Sequence, residues 1–163
     1  MEINEDEFYR AASIIARKSI EGKFATKSPA LLLPSEHKDG IREAYYQALL
    51  KRIKNQKQKT DYLFSLPYLK SELRKMPKKE TEKILNWWQI LLTYKNLDLR
   101  LSEAAFDPCI IGDMQILVKD GQKRFLLPPG SPKAVEVKKT FSRTFKHSMK
   151  SSKLSIEEIK NSL

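Results

Sequence analysis

Residues 113–130 read DMQILVKDGQKRFLLPPG, and this stretch carries the strongest fold signal in the chain. Asp120-Gly121 stands between two apolar runs, and an Asp-Gly pair in that setting is a strong short-range signal for a β-hairpin. Pro128, Pro129 and Gly130 then end the second apolar run, because proline interrupts strand hydrogen bonding. The sequence therefore predicts a hairpin near residues 114–127.

Upstream of the hairpin, one more segment has strand periodicity. In NLDLRLS, residues 96–102, leucines alternate with polar residues, which is the period of a half-buried strand. The rest of residues 1–96 is mainly helical in pattern. Helices are predicted to begin at Asn4, which pairs with Glu7 as a capping box, and at Asp39, Asp61 and residue 79.

Two features of this helical region bear on the core. Residues 23–38 contain two prolines and predict an ordered loop whose Leu31, Leu32 and Leu33 enter the core. Trp87 and Trp88 lie among Ile and Leu at helical spacing, which favours core packing over stacking on nucleic-acid bases.

Together these patterns predict an α+β protein in which a mainly helical N-terminal half packs on a small antiparallel sheet. We expect a helical region over residues 1–96, followed by the β-hairpin and C-terminal helices over residues 97–163. The chain has 163 residues, enough for both parts to form one compact domain.

Charge is unevenly distributed along the chain. The sequence has 31 Lys and Arg against 20 Asp and Glu, a net charge of +11. Five cations and no acid lie within residues 51–60, and nine cations with one acid lie within residues 122–153. The remainder is close to neutral, so the cations form two stretches suited to contacting the phosphates of a nucleic acid.

The second basic stretch contains a predicted helix. Ser131 before Pro132 supplies an N-cap and a proline at the first helical position. Apolar residues then recur every four positions, and cations recur on a neighbouring face. The apolar stripe is Val137, Phe141, Phe145 and Met149; the cations are Lys139, Arg143, Lys146 and Lys150. Ser155 with Glu158 predicts a second capping box and a short terminal helix.

The same stretch has an alternative as a strand. In AVEVKKT, residues 134–140, a strand would place Glu136 and Lys138 on one face. With Asp113 on an earlier strand, this arrangement resembles the PD-(D/E)xK nucleases, although Gly112 replaces the proline that usually precedes the aspartate. The resemblance implies that Asp113 and Glu136 hold Mg²⁺ and that Lys138 positions or activates the attacking water.

Other chemistry has little support in the sequence. Cys109 lies in an apolar stretch and is predicted to be a small buried residue. The two histidines have no Cys partner at ligand spacing, and no phosphate-binding glycine loop is present. No apolar run is long enough to span a bilayer, and the N-terminus is acidic, unlike a secretory signal. We therefore expect no membrane partner and a cytoplasmic or nucleoid-associated location.

The sequence favours a non-catalytic nucleic-acid-binding accessory protein of the replication, repair or RNA-processing type, with DNA or RNA as partner and no cofactor. The predicted phosphate contacts are Lys51, Arg52, Lys54, Lys57, Lys139, Arg143, Lys146 and Lys150. Two alternatives stay open. One is the Mg²⁺-dependent nuclease. The other is a subunit of a larger complex, whose Phe141/Phe145/Met149 stripe docks on a protein partner.

Overall fold

The computed structural model describes residues 1–33 and 39–163. Within these ranges the chain is about 49% helix and 23% strand, which confirms the predicted α+β class. Six helices are present in the described residues. They are α1 (Glu5–Lys18), α2 (Gly40–Lys54), α3 (Leu66–Lys75), α4 (Lys78–Leu91), α5 (Pro132–Lys146) and α6 (Lys153–Ser162).

Eight strands form one mixed sheet in the order β1-β7-β6-β5-β2-β3-β4-β8. They are β1 (Glu2–Ile3), β2 (Glu21–Thr26), β3 (Lys59–Ser65), β4 (Leu97–Ser102), β5 (Cys109–Ile111), β6 (Ile116–Asp120), β7 (Lys123–Leu127) and β8 (Met149–Lys150). Strands β2, β3 and β4 are parallel, and the other pairings are antiparallel. The sheet is thus larger than the small antiparallel sheet predicted. It contains strands from both sides of residue 96, and the division at that residue stays a prediction.

Two of the central strands were not predicted. β2 covers the start of the predicted loop over residues 23–38, and β3 covers the segment predicted to begin a helix at Asp61. The three leucines of that loop are fully buried, as expected, and its residues 34–38 lie outside the described residues. Both strands are interior strands of the sheet, so their burial pattern lacks the simple alternation that marks a half-buried strand.

The predicted hairpin is confirmed by β6 and β7. Asp120 pairs with Lys123, so Gly121 and Gln122 form a two-residue turn. Gly121 has φ 60°, a conformation in which a side chain would be strained, and this explains the glycine at the first central position. The Asn4–Glu7 capping box of α1 and the strand β4 are also confirmed.

The two faces of the sheet carry separate cores. On one face, α1, α2, α3, α4 and α6 cover a large core in which Trp88, Tyr62 and Phe24 are fully buried. On the other face, α5 packs through Ala134, Phe141 and Phe145 on a smaller apolar cluster. As a result, α5 has the sheet on one side and solvent on the other.

Helix α5 begins as predicted and ends earlier. The Ser131 hydroxyl accepts the Ala134 backbone N–H at 3.3 Å, and Pro132 is the first helical residue. The helix stops at Lys146, so the expectation that Met149 continues its apolar stripe is wrong; Met149 lies in the edge strand β8. The terminal capping box also differs from the prediction, since it joins Ser152 to Ser155.

Candidate nucleic-acid interface

Residues 134–138 are helical, so the strand alternative is wrong. The Ser131-Pro132 start favours a helix, and α5 separates the two groups that a strand would have aligned. Glu136 is exposed and lies 3.8 Å from the Lys133 ammonium, whereas Lys138 is half-buried and donates to the Pro129 carbonyl at 3.3 Å. The arrangement that resembled the nuclease motif is therefore absent from this part of the chain.

Asp113 holds the backbone around the end of α1. Its carboxylate accepts the backbone N–H of Ile20 at 2.6 Å and of Glu21 at 3.4 Å. Its own N–H donates to the Ser19 hydroxyl at 3.0 Å. Among the described residues, no group of three His, Cys, Asp or Glu side chains could hold a metal ion.

The solvent side of α5 carries three exposed cations, Lys139, Arg143 and Lys146. An α-helix turns about 100° and rises about 1.5 Å per residue, so these side chains fall within an arc of about 60° over about 10 Å. That arc lies opposite Phe141 and Phe145, which anchor the helix to the sheet. None of the three cations has an ion pair with another described residue.

Lys150, in the neighbouring edge strand β8, adds a fourth cation to this group. It pairs with Arg100 of β4, and residues that face each other across strands project on the same side of the sheet. Arg100 lies on the α5 side, because its guanidinium donates to the Phe145 carbonyl at 3.0 Å. We call Lys139, Arg143, Lys146 and Lys150 the α5 surface.

Arg52 is not available for phosphate contact, and its assignment is corrected. It is 1% exposed, and its guanidinium donates to the Thr60 hydroxyl at 2.7 Å. The remaining N–H groups reach backbone carbonyls at the end of α1 and the start of β3, which explains how a charge can be buried without a direct ion pair. These carbonyls belong to Ile15, Ala16, Ser19, Ile20 and Lys59. Burial lowers the pKa of this guanidinium.

The other predicted cations of the first basic stretch, Lys51, Lys54 and Lys57, are exposed. They lie at the side of the sheet formed by the amino-terminal ends of the parallel strands β2, β3 and β4, and we call this row of strand ends the edge. Two amide side chains hold that edge together: Gln58 donates to the Arg17 carbonyl at 2.9 Å, and Asn96 donates to the Asn55 carbonyl at 3.1 Å.

These hydrogen bonds bring further exposed cations to the same edge. Arg17 and Lys18 end α1, and Lys95 precedes β4. Sequence analysis missed all three, because their proximity to the first basic stretch depends on the parallel pairing of β2, β3 and β4. We call the whole set the edge surface: Arg17, Lys18, Lys51, Lys54, Lys57 and Lys95.

The α5 surface and the edge surface are separate. Helices α1 and α2 pack on one face of the sheet, and α5 packs on the other. The helices that carry the two basic stretches of the sequence therefore lie on different faces of the sheet, and both stretches present exposed cations.

Aromatic side chains contribute little to either surface. Trp88 is fully buried and its indole N–H donates to the Ser151 hydroxyl at 3.1 Å, while Trp87 donates to the Leu31 carbonyl at 2.7 Å. Both tryptophans belong to the core, as predicted. Within the two described ranges, no Phe, Tyr or Trp side chain is exposed. Among the described residues, the basic surfaces therefore have no exposed Phe, Tyr or Trp ring on which an unpaired base could stack.

A cavity of about 710 Å³ lies between α5 and the sheet. Ala25 and Cys109 face each other in neighbouring strands on its floor, and Phe106, Val137 and Phe141 form part of its walls. Burial, with a smaller contribution from Asp107, raises the pKa of the Cys109 thiol to about 12. The thiol is therefore protonated at neutral pH, which agrees with its predicted role as a small buried residue.

Comparison with known proteins gives a structural similarity and nothing at the family level. No family model matches the chain. No curated protein matches it either. The fold is similar to that of TrmBL2, an archaeal chromatin protein whose structure is reported to show a novel mode of DNA binding. The TM-score is 0.59 at 11% identity, over 93% of this chain.

The chain spans about half, 52%, of the length of that TrmBL2 chain. At this level of identity the similarity shows a shared fold. No described helix is long and apolar enough to cross a membrane.

Proposed function

We propose that this chain is a non-catalytic nucleic-acid-binding accessory protein, associated with the nucleoid, that contacts phosphates through the α5 surface. The observation that carries the proposal is the row of Lys139, Arg143 and Lys146 on the solvent side of a helix that is anchored to the sheet. Because the helix is held in place, little conformational entropy of the backbone is lost when the row meets a polyanion.

Two further observations support it. The chain has a net charge of +11, which attracts polyanions at long range. A protein of similar fold, TrmBL2, is described as a DNA-binding chromatin protein. Lysine and arginine contacts to phosphate carry no sequence information, so binding is expected to depend weakly on base sequence.

Fluorescence anisotropy with a labelled DNA duplex of about 20 base pairs tests the proposal. We expect Lys139→Ala/Arg143→Ala/Lys146→Ala to weaken binding about tenfold and to reduce the slope of log K against log salt by about 3, since each phosphate contact releases a counterion. The same titration with an RNA duplex compares the two partners.

A matched control removes three exposed lysines elsewhere. Lys78, Lys79 and Lys83 lie on α4, where Glu80 and Glu82 alternate with them and reduce the local positive potential. The triple alanine variant has the same net charge as the α5 variant and should bind nearly as well as the unmodified protein. Equal weakening by both variants would show that total charge, and not the α5 surface, attracts the nucleic acid.

A further inference from the structure

We propose that the edge surface is a second phosphate-binding site, so that one copy of this chain holds two separate duplex segments together. This inference rests on the proposed function of the α5 surface and adds a second site and an activity, the bridging of duplexes. Two features of the structure support it: the cations of the edge surface have no ion pairs, and the two surfaces are carried by helices on different faces of the sheet. The stiffness of duplex DNA then favours two segments over one.

The edge surface has charge available for an external anion. Lysines in the last turn of a helix often compensate the negative end of the helix dipole. At the end of α1 that task falls to the side chains of Arg52 and Gln58. The Arg52 guanidinium donates to the Ile15, Ala16 and Ser19 carbonyls, and Gln58 donates to the Arg17 carbonyl. The exposed Arg17 and Lys18 are therefore not needed to satisfy the carbonyls at the end of α1.

The cations of this edge also have no acidic partner among the described residues. Within the part of the chain that the structure describes, no ion pair includes any of the six: Arg17, Lys18, Lys51, Lys54, Lys57 and Lys95. Glu21 is exposed near the same edge, beside Lys59 in the register of β2 and β3. The exposed Asp113 carboxylate also lies there, where it accepts the Ile20 and Glu21 N–H groups. Six cations against these two acids leave a positive surface.

The position of the surfaces favours two segments over one. The edge cations on α1 and α2 belong to the layer on one face of the sheet, whereas α5 lies on the other face. A single duplex would have to bend around the sheet edge to reach both. Duplex DNA is stiff over about 150 base pairs, so such a bend within one small protein is unfavourable. Two straight segments, one on each surface, avoid it.

A bead-capture assay tests bridging. One duplex of about 40 base pairs, far below the persistence length, is fixed on beads, and a fluorescent duplex of different sequence is in solution. The unmodified protein should retain the fluorescent duplex on the beads. The variant Lys51→Ala/Lys54→Ala/Lys57→Ala should reduce retention about tenfold and keep its single-duplex affinity, measured by anisotropy, within about twofold.

The other two variants complete the test. With the edge surface as the weaker of the two sites, the triple α5 variant should lose retention and bind a single duplex about tenfold more weakly, through the edge surface alone. The triple α4 variant should keep both activities. If the edge variant retains the fluorescent duplex as well as the unmodified protein, the second site is wrong, and bridging would come from association of two copies. If the unmodified protein binds a duplex in anisotropy without retaining the second one, bridging is wrong and the proposed function stands. If no duplex binds, both proposals are wrong.

Discussion

At position 52, a buried arginine caps the carboxyl end of α1 and also binds the start of β3. Its planar guanidinium has five N–H donors in a fixed geometry, and the carbonyls at the end of α1 and the start of β3 meet them. A lysine would keep the charge but lose this geometry. In the sequence, Arg52 stands among four exposed lysines, but it follows Tyr45 by seven residues, Ala48 by four and Leu49 by three. This helical spacing places it on the buried stripe of α2 and distinguishes it from the lysines.

Arg52→Met should lower the free energy of unfolding by about 3 kcal/mol or more, because several buried carbonyls lose their donors at once. Urea denaturation measures this change. Lys51→Met, at the neighbouring exposed position, should change stability by less than about 0.5 kcal/mol. If Arg52→Met instead weakened duplex binding and left stability unchanged, Arg52 would be a phosphate contact, as the sequence predicted.

Asp61 is a residue whose charge costs stability. It neighbours Asp98 across β3 and β4, and Asp98 is already engaged by Arg100, whose Nε and Nη2 donate to its carboxylate at 3.1 Å. Burial and then Asp98 raise the pKa of Asp61. A raised pKa in the folded state means that the folded protein binds this proton more tightly than the unfolded chain does. The cost is therefore present at neutral pH and disappears as the pH falls below the ordinary aspartate pKa of about 3.9.

Asp61→Asn should accordingly raise the free energy of unfolding at pH 7, by about 0.5 kcal/mol for a pair of like charges on adjacent strands. The gain should shrink toward zero near pH 3, which urea titrations at several pH values would measure. Asp107→Asn, at an exposed loop position, is the control. A loss of stability at pH 7 would mean that attraction to Lys23 or Lys59 outweighs the burial and the repulsion.

At the scale of elements, helices and the hairpin are predictable because their signals are local. Ser131-Pro132 starts α5, Asn4 with Glu7 starts α1, and Asp120-Gly121 marks the hairpin turn. Strands β2 and β3 have no such local signal. Their short apolar runs occur equally in buried helices, and parallel pairing between residues far apart in sequence selects the strand. The two-residue strands β1 and β8 are too short to have a local signal and are defined by their pairing with β7 and β4.

Arg100 joins the end of α5 to the sheet. Its guanidinium lies 4.4 Å from the centre of the Phe145 ring and donates to the Phe145 carbonyl, so a single side chain holds both the ring and the backbone of the last turn. Two of the cations of the α5 surface, Arg143 and Lys146, belong to this turn. Arg100 therefore holds the last turn of α5 in place, and with it the two cations that this turn carries.

Arg100→Met should lower the free energy of unfolding by about 2 kcal/mol, since a charged hydrogen bond is lost. It should also increase amide hydrogen exchange over residues 142–147 more than elsewhere, which mass spectrometry detects. Arg10→Met, at an exposed position of α1, is matched in size and charge and should change neither. Uniform acceleration of exchange along the chain would argue against a specific role at the end of α5.

At the scale of the whole molecule, the sequence shows how much positive charge is present but not which cations share a surface. The two basic stretches are evident from composition, yet the sheet places them on different layers. It also removes Arg52 from the surface and brings Arg17, Lys18 and Lys95 to the edge. The proximity of Arg17, Lys18 and Lys95 to the first basic stretch follows from pairing among β2, β3 and β4, which local patterns do not specify.

This separation has a measurable consequence for the salt dependence of binding. A duplex that contacts the four cations of the α5 surface should give a slope of log K against log salt of about −3.6, because each neutralised phosphate contributes about −0.9. A duplex that contacted the cations of both surfaces together would give about −9. Anisotropy titrations of a single short duplex between about 50 and 200 mM salt distinguish these values. A slope near −9 would mean that one segment reaches both layers, and the geometry of two independent surfaces would then be wrong.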